Sequence, residues 1–177
     1  YGNELHPARF ALAKTRLDYC LNGAREFLEV KGRFNVVFNN PTYDQALGGG
    51  RMEVEHILHD LDLLVRGGLG IWIIPESIID HTLCFLLART LRQVNIRRFP
   101  MPEYERFKQV VVFGLKRVEK VHYEFSVASR LEAMVQKGPP VLQAGEFDYY
   151  YYTTGEDMVT GFNIGFPEAV AVLDEIE

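Results

Sequence analysis

Cysteine is scarce in this chain of 177 residues: only Cys20 and Cys84 occur, and their spacing is not that of a pair. This excludes a disulfide scaffold and a cysteine-built zinc site, and it points to a reducing compartment in which both thiols are core residues. Long apolar runs are missing as well. No stretch approaches the roughly 18 apolar residues of a membrane span, and the first residues lack the basic-then-apolar pattern of a signal segment. The expected location is therefore cytoplasmic. Excess positive charge is also absent, the net charge being -5. A general basic coat for nucleic acid is excluded, so a polyanion would have to meet a local patch. What the chain does have is 47% hydrophobic and 24% charged residues, the balance of a globular domain with a real core.

Strand and helix patterns alternate, with no internal repeat. Pro7 suits a first helical turn, and Phe10, Ala13, Leu17 and Leu21 follow at helical spacing, so a helix is expected over 7 to about 20, broken by Asn22-Gly23. A short segment at 25–30 and a turn at Lys31-Gly32-Arg33 lead into an aromatic and β-branched strand, Phe34–Asn39. Gly48-Gly49-Gly50 marks a loop. Val54, Ile57, Leu58, Leu61, Leu64 and Val65 form a helical stripe stopped by Gly67-Gly68. Residues 69–74 are a continuous apolar run ending at Pro75, as expected of a strand buried on both faces. A helix at 80–91 follows, then strands at 94–99 and 110–115 joined by Pro100-Met101-Pro102-Glu103. This order implies an α/β domain over 1–117 with a parallel, doubly wound sheet and function at the carboxyl ends of its strands. Residues 118–177 read as a C-terminal extension of unknown role, with a linker at 137–140, a tyrosine-rich strand at 148–154 and a short helix at 167–176.

Chemistry concentrates in three places. The strand Phe34–Asn39 runs into Asn40-Pro41-Thr42-Tyr43, where an amide, a fixed carbonyl and an aromatic ring offer what is needed to hold a flat, amino-bearing ring. Glu4 falls at the end of a strand, where an acid can accept hydrogen bonds from vicinal ribose hydroxyls; the plainer reading is a solvated loop acid. Arg97, Arg98 and Phe99, followed by Tyr104, Phe107 and Lys108, interleave cations with aromatics, as a local nucleic-acid patch requires. The plainer reading there is an exposed edge, with Phe107 in the core. His56 and His59 lack a third ligand at useful spacing, so no metal site is expected.

The series Glu4-x-x-Pro7 with its helix, Arg25-Glu26-Phe27-Leu28, the strand into Asn40-Pro41-Thr42-Tyr43, a helix, Gly67-Gly68 and a strand into Ile74-Pro75-Glu76-Ser77 resembles the adenine-N6 class of S-adenosylmethionine-dependent DNA methyltransferases. The resemblance covers residues 1–117. It implies the class I, Rossmann-like sheet, S-adenosylmethionine as cofactor and DNA as partner, in a protein of restriction-modification or mobile-element origin. It further implies that Asn40 and the Pro41 carbonyl accept the two protons of the exocyclic amine and that Tyr43 stacks on a flipped base. Glu4 would hold the cofactor ribose, with Glu26 and Phe27 near the cofactor adenine. One aromatic between the last two strands would stack on the far side of the base, Phe99 being the first choice by its Phe-Pro context, ahead of Tyr104 and Phe107, with Arg97, Arg98 and Lys108 near phosphates. Thr42 departs from the family, which usually has proline there, but neither proposed acceptor is lost. The family also begins with a strand and a Gly-rich turn that precede the first residue of this sequence. A fragment, or a first strand supplied by a second chain, is therefore expected. Two other functions fit the same residues: methylation of a glutamine side-chain amide in a protein, and a catalytically silent nucleic-acid-binding or assembly subunit.

Overall fold

Short β-branched runs and amphipathic helices alternate along the chain. The structure, a computed structural model, describes residues 1–24, 34–41, 51–119, 121 and 124–143. The chain divides into two units, Tyr1–Lys31 with Met158–Glu177, and Gly32–Asp157.

In the first unit, β1 (Gly2–Glu4) and β2 (Cys20–Asn22) pair in parallel, with Gly2 opposite Cys20 and Glu4 opposite Asn22. A parallel pair needs a crossover, and α1 (Pro7–Lys14) supplies it. Pro7 opens α1 as expected, but the helix stops at Lys14 instead of reaching residue 20. Thr15 ends it: its hydroxyl and its N–H both donate to the Leu12 carbonyl, at 2.7 and 3.2 Å. Leu17, read as a helical position, lies past the helix and packs over Gly2, where an added Cβ would come 2.4 Å from its Cδ1.

The second unit carries the core. Its elements are β3 (Phe34–Asn39), α2 (Met52–Leu63), β4 (Leu64–Pro75), a 3-10 turn (Glu76–Ile78), α3 (His81–Thr90), β5 (Leu91–Arg98), α4 (Glu103–Phe107), β6 (Gln109–Lys116) and α5 (Phe125–Gln136). The sheet order is β3-β4-β6-β5. β3 and β4 are parallel, while β6 runs antiparallel to both of its neighbours, so β3, β4 and β5 share one direction. The sheet is thus mixed. The reversal of β6 follows from its short connection, since the ten residues after β5 return the chain to the same end of the sheet without a full crossover.

Core residues on the strands alternate: Trp72 and Ile74 on β4, Val94 and Ile96 on β5, Val110 and Val112 on β6. They therefore come from one face. Against it pack Ile57 and Leu61 of α2, Leu83, Cys84 and Leu87 of α3, and Ala128 and Leu131 of α5. Each fully buried large side chain contributes about 2 kcal/mol. Residues beyond 117 take part in this core, and the stretch read as a linker meets the sheet too: Arg98 donates to the Pro140 carbonyl at 3.0 Å, and Leu142 donates back to Arg98 at 2.9 Å. Val36 and Phe38, on the opposite face of β3, are exposed. Cys84 is a core thiol, its pKa pushed up to about 11 by burial.

Gly67-Gly68 does not end a helix. α2 stops at Leu63, and both glycines lie inside β4, where the partner of Phe34 is Leu64 and that of Val36 is Leu69. This bulge needs a residue at φ 79°, a conformation glycine adopts without strain. Further along, Gly70 lies under the Trp72 ring, where a Cβ would come 1.9 Å from Cη2. The strands expected at 69–74, 94–99 and 110–115 and the helix at 80–91 appear with shifted ends, Asp80 capping α3 through the Leu83 N–H at 2.8 Å. α4 was not foreseen: five residues between two prolines and a β-strand carry too little periodicity to read.

Candidate functional site

β3 delivers Asn40 and Pro41 at its carboxyl end, Asn40 exposed and Pro41 buried. Thr42, Tyr43, Glu26, Phe27 and the Gly48-Gly49-Gly50 loop lie outside the described residues. Below Asn40, the last strand residue is anchored twice. Asn39 lies opposite Trp72 in the β3–β4 ladder, and its side-chain amide donates to Asp60 Oδ2 at 2.7 Å. Trp72 Nε1 donates to the same oxygen at 2.9 Å. Asp60 is 2% exposed, held on the inner face of α2. Two further polar residues share that face: His56, and Glu53, whose Oε1 accepts from Arg51 at 2.8 Å and whose Oε2 is buried with no hydrogen-bond partner among the described residues.

A second cluster forms at the same end of the sheet, past β4 and β5. The Tyr104 hydroxyl donates to Glu76, and the Arg98 guanidinium and Lys108 ammonium lie 5.3 and 4.9 Å from the centre of the Tyr104 ring. Each such cation–ring contact contributes about 0.5–1 kcal/mol at an exposed site. The hydrogen bond to Glu76, then burial, holds the Tyr104 phenol above its ordinary range. Glu76, Ser77, Ile79, Tyr104, Lys108 and Val135 line a cavity of about 400 Å³. Phe107 is not a core residue; it is exposed, with the Arg106 guanidinium 5.0 Å from its ring. Phe99 is half-buried just past β5. Arg97 does not join the cluster: it lies on the sheet face opposite to Ile96 and is buried, with Nη1 donating to the Ile96 carbonyl at 3.0 Å, while Arg98 is partly exposed.

In the first unit, Glu4 closes β1. Its Oε1 accepts from the His6 N–H at 2.8 Å and from Arg9 Nη2 at 3.0 Å, and its Oε2 accepts from Arg9 Nε at 3.0 Å. The Arg9 hydrogen bond, then that from His6, hold the carboxyl below its ordinary range. A carboxylate offers about four acceptor sites, so a carboxyl already loaded three ways retains room for a hydroxyl. Arg9 itself is 67% exposed, so the pair lies open to solvent. The residues present thus fit the ribose of a nucleoside cofactor.

Residues 1–143 match an uncharacterised methyltransferase family (DUF6094). The chain belongs to that family. No curated protein matches it. The matched span of this methyltransferase takes in Glu4, the tetrapeptide, the Tyr104 cluster and α5. Among the described residues, no helix is long and apolar enough to cross a membrane.

Of the site residues read from the sequence of this methyltransferase, the structure brings Arg98, Tyr104 and Lys108 together and sets Asn40 at a strand end. Asp60, Asn39, Trp72 and Glu76 were missed. Asp60 had a legible signal: it lies three residues after Ile57 and four before Leu64, an acid within an apolar stripe. Asn39 had none, because one asparagine before another gives no reason to separate an anchor from an acceptor.

Proposed function

We propose that this methyltransferase transfers a methyl group from S-adenosylmethionine to the exocyclic N6 amine of adenine in DNA. One observation carries the reading: the family match spans the tetrapeptide, and Asn40 stands exposed at the carboxyl end of β3, where an α/β sheet presents its ligands. The cofactor, when bound, supplies an electrophilic methyl group on a sulfonium. The Asn40 side-chain oxygen and the Pro41 carbonyl accept hydrogen bonds from the two amine N–H groups, which localises the nitrogen lone pair for in-line attack; one amine proton leaves to solvent as the N–C bond replaces the C–S bond. Such a site works by position and electrostatics. Tyr43 stacks on the extruded base and returns about 1–3 kcal/mol of the stacking lost from the duplex. Glu4 accepts from the ribose hydroxyls. Arg98 and Lys108 meet backbone phosphates, the local positive patch that a chain of net charge -5 needs.

The test is transfer of labelled methyl groups to an adenine-containing oligonucleotide and, in parallel, to a glutamine-containing peptide. Wild-type protein should label the oligonucleotide. Asn40→Ala should lower kcat by about 100-fold or more with S-adenosylhomocysteine binding intact by calorimetry. Glu4→Ala should weaken that binding by about tenfold. Labelling of the peptide alone would replace the DNA reading with the amide one, and unchanged turnover in Asn40→Ala would remove the assigned amine acceptor.

A further inference from the structure

We infer that Asp60 is a positioning residue for the amine acceptors, acting through Asn39; the inference rests on the proposed role of Asn40. An amide turned one way or the other points either a donor or an acceptor at its neighbour, and an acidic oxygen decides which. Asp60 Oδ2 takes the Asn39 Nδ2 at 2.7 Å, so the Asn39 side chain is locked inward. Successive strand residues face opposite ways, so locking Asn39 inward fixes the direction in which the chain leaves the sheet at Asn40.

The same oxygen accepts from Trp72 Nε1 at 2.9 Å. Indole can only donate, and Trp72 is fully buried, so this bond satisfies a group with no solvent to turn to. Asn39 and Trp72 are also ladder partners. Backbone pairing and one carboxylate therefore tie the end of β3 to the middle of β4 from two directions. Burying an acid at a position where the helical stripe calls for an apolar side chain has a desolvation cost. Here two convergent donors offset it, and the result is a strand end with one orientation. Displacing reacting groups by about 1 Å can cost about 100-fold in rate, and Asn39 is the residue next to Asn40.

Trp72 is the single tryptophan of the chain, so its indole N–H gives one proton–nitrogen NMR signal that reports on Asp60 directly. Asn39→Asp sets two carboxylates face to face. It should lower kcat for the oligonucleotide by about 10- to 100-fold, shift the indole signal, and change S-adenosylhomocysteine binding by less than about twofold. Where Asn39→Asp does not fold, Asn39→Ala removes the bond without adding charge and is judged by the same fall in kcat. If Asn40→Ala abolishes transfer while Asn39→Asp or Asn39→Ala leaves kcat unchanged, the positioning role is overturned and the proposed function stands. If Asn40→Ala leaves transfer unchanged, the proposed function itself falls.

Discussion

The two ends of the four-stranded sheet both gather cations, but they use them differently. At the amino ends of β3, β4 and β5, where α2 and α3 finish, Lys116 Nζ donates to the Leu61 and Leu64 carbonyls at 2.5 and 2.9 Å, and Arg117 Nε donates to Ala88 at 3.1 Å. Those carbonyls belong to the last turns of the two helices and the residue that follows, so the cations serve as caps. Arg117 is further bound to Glu124 at 3.2 Å. At the carboxyl ends, Arg98 and Lys108 lie against the Tyr104 ring instead, and their side chains cap no helix end among the described residues. The larger of the two cavities described is at the amino end, about 530 Å³ against about 400 Å³. Size is thus not what sets the proposed site apart. What distinguishes the carboxyl end is the combination of the tetrapeptide, a buried acid that holds the strand beneath it, and cations resting on an aromatic face.

The sharpest way to break this contrast is at the carboxyl end. Asp60→Leu strands two donors, the Trp72 indole and the Asn39 amide, and should lower unfolding stability by about 4 kcal/mol in urea titration. Asp60→Asn, which retains one oxygen, should cost less than half of that. At the amino end, Lys116→Met keeps the stem and removes the cap, and should cost about 1–2 kcal/mol while methyl transfer is unchanged. Removing Arg98 and Lys108 together, as Arg98→Gln with Lys108→Gln, should alter stability by no more than about 1 kcal/mol. It should instead flatten the salt dependence of oligonucleotide binding, the slope falling by about one for each phosphate left without its cation.

The smallest effect separates the ends by sign. The folded-state range of Tyr104 is raised, by its hydrogen bond to Glu76 and then by burial, so its contribution is complete below the ordinary phenol range and is lost as pH climbs through the raised one. Lys116 is lowered, chiefly by burial, so its contribution has the opposite slope: stability rises as pH passes through the lowered range toward 10.5. Tyr104→Phe should remove the alkaline decline, and Lys116→Met the alkaline rise, in thermal melts followed above neutral pH. Equal slopes in the two variants would mean that the ends do not differ in this way.

Local pattern carried much of this fold because periodicity is local. The run Phe34–Asn39 could be read from six residues, and the residues that follow it stand out for their turn chemistry. The glycine pair was legible as a breaker but not as a bulge, since whether Gly67 interrupts a helix or kinks a strand depends on the partner strand it must match, and β3 lies some thirty residues earlier. The helix cut short at Lys14 was hidden for a related reason: a single threonine took a carbonyl that periodicity had assigned to the next turn. At the site, residue types were legible and their relations were not. Arg97 and Arg98 are equal in sequence, and only the structure shows that the first is buried and that the second reaches the Tyr104 ring.

By itself the sequence determined the positions of the main strands and helices of the second unit, that an amide, a proline and an aromatic follow one strand, and that any polyanion must find a local patch. Tertiary structure alone decided that Asp60 of α2 meets Asn39 of β3 and Trp72 of β4, that Tyr104 reaches Glu76, and that one set of cations caps helices while another stays on a ring. The reason is physical: hydrophobic period is set by neighbours three or four residues away, whereas a buried polar group takes its meaning from whichever donor the fold brings within about 3 Å.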